Sequence, residues 1–485
     1  MSLEGALVLV YLAGCIGIGL FASRKVLTSK DEYWVAGRRI GTFVNAMAIM
    51  AALASGGSII GVMGLAYSRG IPSTLALFAG AVLGFPLASI LIARPLRNFG
   101  KYTITDFLAF RYPHSIVRYL VPSLIVVSFT VYIIAQMKAA GITANVLLGV
   151  PYDLALTLAA LVFILYVSVG GMVAITWTDV IQGVLMLAVV IGCSVALIWR
   201  VGTPLGLMTQ ATAAAPELGQ VSNQSLGSYL GFFVIWAAAI PVIPHIVMRV
   251  FTAKDSEGAR LSLNVAMLFY SIMILAAVLA IVPVGKIYFP DLADADQVFL
   301  MVIGREFPPF FRGIAVAAVL AAVMSTTDAL LLACSSAISH DLLGTWTDRL
   351  GAKGSAVVGV ASAWFVGLVA LYFAYSPPDL ITEFYTAAVG ILSAGLFVPM
   401  VGGLWWKRAN LAGGIAALLT GSLLYLFLEL ATDAASILIA LPASAIAMWL
   451  GGRFGPSEKA EMLVSIQGLH EKDPAADRER LRVAV

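Results

Sequence analysis

Charge is what this sequence has least of: Asp, Glu, Lys and Arg together make up 11% of its 485 residues, where a soluble domain carries about a quarter. That scarcity excludes a solvated globular chain. Cysteine is almost absent too, and Cys15, Cys193 and Cys334 all fall inside apolar stretches, which excludes an extracellular disulfide framework and leaves them as small packing residues. No H-E-x-x-H, G-x-S-x-G or P-loop pattern occurs, so the sequence offers no enzyme signature. The first apolar stretch has no lysine-rich leader and no A-x-A-like cleavage site, with Glu4 as its only flanking charge, and it is expected to remain as a helix.

What is abundant is hydrophobicity, 61% of positions. At about 20 apolar residues per crossing, the pattern predicts an all-α polytopic membrane protein with about thirteen spans, near 3–22, 42–68, 72–93, 119–147, 152–170, 172–199, 227–248, 262–284, 312–338, 355–375, 380–405, 411–430 and 434–451. Of the 29 basic residues, 23 fall in alternate loops and the C-terminal tail, Arg24, Lys25, Arg94, Arg97 and Arg249 among them. The positive-inside rule then puts the N-terminus outside and the C-terminus in the cytoplasm. The net charge of +3 follows from that topology and gives no reason to expect nucleic acid. The partners implied are the lipid bilayer and a small molecule, in the cell's plasma (inner) membrane, with no obligate protein partner evident. The tail from Arg453 to Val485 reads as a solvated end.

Two spans are interrupted. One contains Ala54-Ser55-Gly56-Gly57-Ser58, the other Pro241 and Pro244 after Trp236. Glycine pairs and prolines weaken helices, and in hydrocarbon such breaks survive only where protein or a hydrated cavity satisfies the backbone. Counting from one broken span to the other gives five helices, an odd number, so the second set enters the membrane upside down. The expected organisation is a leading helix and loop (1–41), a five-helix repeat (42–200), a second, inverted repeat (225–405), two further helices (406–452) and a tail (453–485). Such breaks hold substrate and coupling ions near the midplane. Gly80-x-x-x-Gly84 is expected to mark close helix packing.

In the ninth span Ala322, Ser325 and Thr326 share one face at i, i+3 and i+4. Two hydroxyls and a carbonyl form half of an uncharged oxygen cage suited to a hard cation. Alone, such residues usually bond to their own backbone or join helices; a broken partner helix favours sodium.

The segments Glu32-Tyr33-Trp34-Val35-Ala36-Gly37-Arg38, Gly170-Gly171-Met172-Val173-Ala174-Ile175-Thr176-Trp177-Thr178-Asp179, and Ala322 to Thr326 followed by Ser335-Ser336-Ala337-Ile338-Ser339-His340-Asp341-Leu342 resemble the sodium/solute symporters, which share the inverted-repeat fold of the leucine transporter. Residues 95–103, 135–137 and 244–252 look most like its cation/acetate and monocarboxylate permeases. The resemblance implies sodium held by the carbonyls of Ala54, Gly57 and Ala322 and the hydroxyls of Ser325 and Thr326. Relatives carrying proline have an acid where this chain has Gly56, which argues against a proline substrate. Some members hold a second sodium near the residue matching Asp179; here Asp328 stands one turn beyond Ser325, where those members carry serine.

An acid inside a span is costly and usually faces the interior. Asp179 and Asp328 can share a second cation or a proton; alternatively Asp328 bonds to neighbouring hydroxyls and Asp179 caps its helix. Lys138 can attract a carboxylate substrate or snorkel to the interface. His245 reads as a packed or hydrogen-bonded histidine. Ser55, Gly56, Ser58, Gln136, Lys138 and Trp236 are the candidate substrate contacts. The function expected is sodium-driven, alternating-access symport of a small monocarboxylate such as acetate or pyruvate. The alternatives are a pantothenate or amino-acid symporter and, from another class, a transporter-like membrane sensor.

Overall fold

The computed structural model describes residues 2–23, 30–221, 224–377, 380–432 and 434–472. Arg24 and Lys25, and the tail beyond Lys472, lie outside the described residues. Helix dominates, and among the described residues no strand forms beyond an isolated bridge between Ile40 and Ala253. Ten helices are long and apolar enough to cross a membrane, or eleven with one bent pair counted as a span. Shorter apolar helices, Leu3–Ile18 and Tyr152–Ser168, occupy two more of the positions where spans are expected.

The helices that build the interior are labelled in chain order: α1 Leu3–Ser23, α2 Thr42–Leu53, α3 Gly57–Arg69, α4 Ser115–Leu148, α5 Gly171–Val201, α6 Leu226–Ala239, α7 Pro244–Thr252, α8 Ser256–Tyr288, α9 Pro309–Ser336 and α10 Ile381–Trp405. α9 is the axis of the molecule: 94% of its span is buried, against 22% for Ile437–Phe454 at the rim. The peripheral helices turn large apolar side chains outward, among them Leu158, Phe365 and Leu430, as lipid-facing surfaces must.

Sequence punctuation sets the breaks. α2 and α3 meet at 60° across Ala54–Gly56. The second expected break is also present, since α6 stops at Ala239 and α7 resumes at Pro244, but Leu226–Thr252 still runs as one 27-residue span. The reason is local: the amides of Val242 and Ile243 both return to the Ala239 carbonyl, so the turn is rewound rather than opened. Gly171, at φ +54° and ψ −168°, takes a conformation open to glycine alone and starts α5 in a new direction. Gly80 and Gly84 mark close packing as expected: a β-carbon on Gly80 would strike the Phe233 backbone of α6, and one on Gly84 the Ile240 side chain just past its end.

The tail departs from expectation. Ala460–Gly468 is a helix rather than solvated coil, held by Asn98 Nδ2 donating to the carbonyls of Leu469 and Glu471 at 2.9 and 3.0 Å.

Candidate functional site

The α2–α3 junction exposes four carbonyls that the end of α2 cannot satisfy itself, and each finds a partner. Met50 accepts the Ala54 amide and Leu53 accepts the Ser55 amide, both at 2.7 Å, and Leu53 also takes the Ser58 hydroxyl at 3.0 Å. The other two are met from α9: Ser325 Oγ donates to Ala51 at 2.9 Å and Thr326 Oγ1 to Ala52 at 3.0 Å. Ser325 also lies 3.2 Å from the Ala322 carbonyl. All of these groups are buried. Ser325 and Thr326 therefore face the end of the first half-helix, and their hydroxyls donate to Ala51 and Ala52, a few residues before the Ala54 and Gly57 expected to take part in holding sodium. The Gly57 carbonyl is engaged within its own helix by the Val62 amide, in a wide turn over Gly57–Gly61, a feature frequent at functional sites.

On the opposite side the N-terminal end of α3 is capped. The Gly56 amide donates to Gln136 Oε1 at 2.9 Å and the Ser58 amide to Ser55 Oγ at 3.0 Å. Around this end stand Tyr132 and Tyr385, stacked at 4.9 Å, with Trp236 edge-on to Tyr385 at 5.8 Å. Trp236 Nε1 reaches Thr386 Oγ1 at 3.3 Å, the Tyr132 hydroxyl lies 3.4 Å from Ser55 Oγ, and the Tyr270 hydroxyl lies 3.4 Å from Ser58 Oγ. Ser55, Gly56, Ser58, Gln136 and Trp236 thus come together. Gln136 Nε2 and both ring nitrogens of His245 are buried without a hydrogen-bond partner among the described residues. His245 is packed against Phe129 and Tyr132 at 5.3 and 6.2 Å, so of the two readings of this histidine the packed one holds. A β-carbon on Gly57 would clash with the edge of the Tyr385 ring. Gly57→Ala is expected to destabilise by roughly 1–3 kcal/mol through overpacking, read as a lower Tm in detergent; an unchanged Tm would show that the ring is free to move.

Lys138 leaves this group. Its ammonium is buried and pairs with Asp296 at 2.9 Å, while the same Asp296 oxygen accepts the Ile381 amide at 3.1 Å. Lys138 neither snorkels nor reaches the break. Nothing in the sequence marks Asp296 as its partner, because it lies in a connecting segment with two other aspartates, Asp291 and Asp294, close by.

The acid pair is also corrected. Asp179 does not cap a helix: it forms a fully buried ion pair with Arg249 of α7, whose other nitrogen donates to Thr176 Oγ1 at 2.7 Å. Arg249 is 1% exposed, not a cytoplasmic loop charge. A signal was present in His245, Arg249 and Thr252, which fall at i, i+4 and i+7 on one face. Asp328 is buried, and neither carboxylate oxygen has a hydrogen-bond partner among the described residues. The neighbouring hydroxyl of Thr327 turns instead to the Val323 carbonyl at 2.7 Å.

The Ser-His-Asp segment after α9 has a structural explanation. His340 Nε2 lies 3.2 Å from Asp106, and Thr103 donates to Asp341 at 3.1 Å, clasping the end of α9 to the 104–111 helix. Burial would raise the carboxyl of Asp106, but the charge and hydrogen bond of His340 and the amides of Tyr102 and Thr103 hold it below the ordinary range.

Three relatives agree with this architecture. The sodium/pantothenate symporter of Escherichia coli (strain K12) is 30% identical over 94% of this chain and 98% of its own length. The osmoregulated proline transporter OpuE of Bacillus subtilis (strain 168) is 27% identical over 87% and 88%. A substrate-bound, outward-open sodium-coupled sialic acid symporter superposes with a TM-score of 0.79 at 19% identity, covering 94% of this chain and 98% of that one. Residues 33–421 match the sodium:solute symporter family, and the chain belongs to that family as a multi-pass plasma-membrane transporter of the leucine-transporter type.

Proposed function

We propose that this chain is a sodium-driven symporter of a small organic monocarboxylate, working by alternating access around the α2–α3 junction. The observation that carries the reading is the junction itself, where α9 brings two hydroxyls to the carbonyl end of one half-helix while the amide end of the other lies among Gln136, Tyr132 and Trp236. Sodium belongs at the first end: the hydroxyls of Ser325 and Thr326 with the carbonyls of Ala322 and of the α2 terminus supply uncharged oxygens, whether that terminus contributes Ala51 and Ala52 or, after rearrangement, Ala54 and Gly57. A carboxylate belongs at the second, where the helix dipole favours negative charge and where Gln136 and Ser55 now accept from the Gly56 and Ser58 amides. Ser55, Gly56, Ser58, Gln136 and Trp236 are the proposed contacts, and the apolar, aromatic wall suits a small ligand. Lys138 is withdrawn from the list by its pairing with Asp296.

A second cation, sodium or proton, is proposed at Asp328, beside the Asp179–Arg249 pair. The pair is neutral in sum, so Asp328 carries the uncompensated charge, and a buried carboxylate without a partner takes up a cation or a proton. Either would add about 2.3 kcal/mol of driving force per 100 mV of membrane potential to an otherwise electroneutral cycle.

Acetate or pyruvate is the substrate this interior favours; pantothenate, itself a carboxylate, is the second reading, favoured by the 30%-identical relative. Competition of unlabelled acetate, pyruvate, pantothenate and proline against labelled acetate in proteoliposomes separates them. The expected order places acetate and pyruvate first and proline last. No acetate uptake together with saturable pantothenate uptake would transfer the assignment to pantothenate.

A further inference from the structure

A concentration of positive charge outside the transport path lies where three elements end together. Ile71–Phe99 delivers Ile90 and Arg94, α10 delivers Trp405 followed by Trp406 and Lys407, and Ala460–Gly468 closes the third side with Leu463, Ile466 and Gln467. They enclose a cleft of about 450 Å³. Arg94, Arg111, Arg260 and Lys407 line it, and among the described residues no acidic one does.

The cations are unequally engaged. Arg111 is buried and spent on structure, donating to the Gly403 carbonyl at 3.0 Å and pairing with Glu458 at 2.6 Å. Arg94 pairs with Glu257 from outside the cleft, but its Nε is buried and has no hydrogen-bond partner among the described residues. Arg260 holds the Ser89 carbonyl at 3.2 Å and reaches Glu257 only at 3.5 Å. A single glutamate therefore serves two guanidinium groups, and the lining keeps an excess of positive charge.

The remaining walls are apolar and reach the lipid-facing surface. Ile90 is 58% exposed and Trp405 51%. Trp405 is nonetheless fixed, by a hydrogen bond from Nε1 to the Leu91 carbonyl at 2.8 Å and by edge contact with the His470 ring at 4.4 Å. A tryptophan at the end of a span, oriented and half open, marks the headgroup level of a bilayer. The basic residues assign this same end to the cytoplasmic leaflet, where anionic lipid is found and where basic pockets between spans bind its headgroups.

We propose that this cleft is a binding site for one anionic phospholipid, its phosphate held by Arg94, Arg260 and Lys407 and its acyl chains lying along Ile90 and Trp405. A free phosphate would share the charge complementarity but leave the apolar wall unused, and the lipid is the occupant argued for. Because Asn98 and His470 already dock the Ala460–Gly468 helix here, a bound lipid would join the tail helix to the ends of two spans. The site is separate from the sodium and substrate positions.

The test is native mass spectrometry of the full chain in mild detergent, titrated with phosphatidylglycerol or phosphatidylcholine. One retained phosphatidylglycerol per chain is expected, with retention of phosphatidylcholine at least about tenfold weaker, because its phosphate comes with a choline cation that the excess positive charge of the cleft disfavours. Arg94→Gln/Arg260→Gln and, independently, Lys407→Gln should each lose most of that preference; the lysine variant disturbs no ion pair, so it keeps the test valid if the double variant folds poorly. Equal retention of both lipids, or a preference unchanged in Lys407→Gln and in a folded double variant, would overturn the proposal. Displacement of phosphatidylglycerol by millimolar inorganic phosphate would overturn it as well, assigning the cleft to the free anion.

Discussion

Arg249→Ala is expected to cost about 3–5 kcal/mol of stability, because removing one member of a buried ion pair leaves its partner charged and unsolvated. The environment makes the cost high here. Arg249 faces Asp179 directly and gives a second hydrogen bond to Thr176, and Asp328 adds another buried carboxylate to the same neighbourhood. Losing the guanidinium leaves two acids and no cation. The measurement is the midpoint of thermal unfolding in detergent, followed by tryptophan fluorescence. Arg249→Met/Asp179→Leu removes both charges and should recover most of the loss, since apolar replacement of a whole buried pair is often neutral or stabilising. An alanine variant as stable as the parent would mean that the pair is hydrated and not the structural tie described here.

Ser325→Ala/Thr326→Ala is the second large effect. Each hydroxyl donates to an end carbonyl of α2 and, in the proposed function, offers its oxygen to sodium. Hydrogen bonds and contacts to charged groups are worth roughly 1.5–3 kcal/mol each, so losing two should weaken sodium activation of transport about 100-fold or more. The same change leaves the Ala51 and Ala52 carbonyls without their α9 partners, and some loss of stability accompanies it. Thr326→Ser keeps the oxygen and separates the two consequences. It should retain sodium activation, whereas a general packing defect would follow from loss of the methyl group as well.

These effects show how much could be read before the fold. The glycine pair at residues 56–57 and the i, i+3, i+4 spacing of Ala322, Ser325 and Thr326 identify a broken helix and the helix that faces it, because backbone breaks and helical faces are local properties. Which carbonyls the hydroxyls meet is not local: it depends on how far α9 slides along α2, and the partners Ala51 and Ala52 follow only from that register. The same limit explains Lys138 and Arg249. A charge next to an apolar run reads equally as a snorkelling end, a loop or a buried pair until a partner from a distant segment, here Asp296 or Asp179, is brought beside it. The second interruption, at Pro241 and Pro244, was legible as a break but not as a gentle one, since that depends on Val242 and Ile243 both returning to one carbonyl.

The most direct test of the central claim is entry of radiolabelled sodium into proteoliposomes, measured with and without acetate or pantothenate outside and with the parent chain beside Ser325→Ala/Thr326→Ala. Coupled symport predicts sodium entry that rises only when a transported carboxylate is present, carboxylate uptake that stops when the sodium gradient is collapsed, and loss of both in the double variant. Carboxylate uptake indifferent to sodium, or coupled entry that survives in the double variant, would contradict an ion site at the α2–α9 contact.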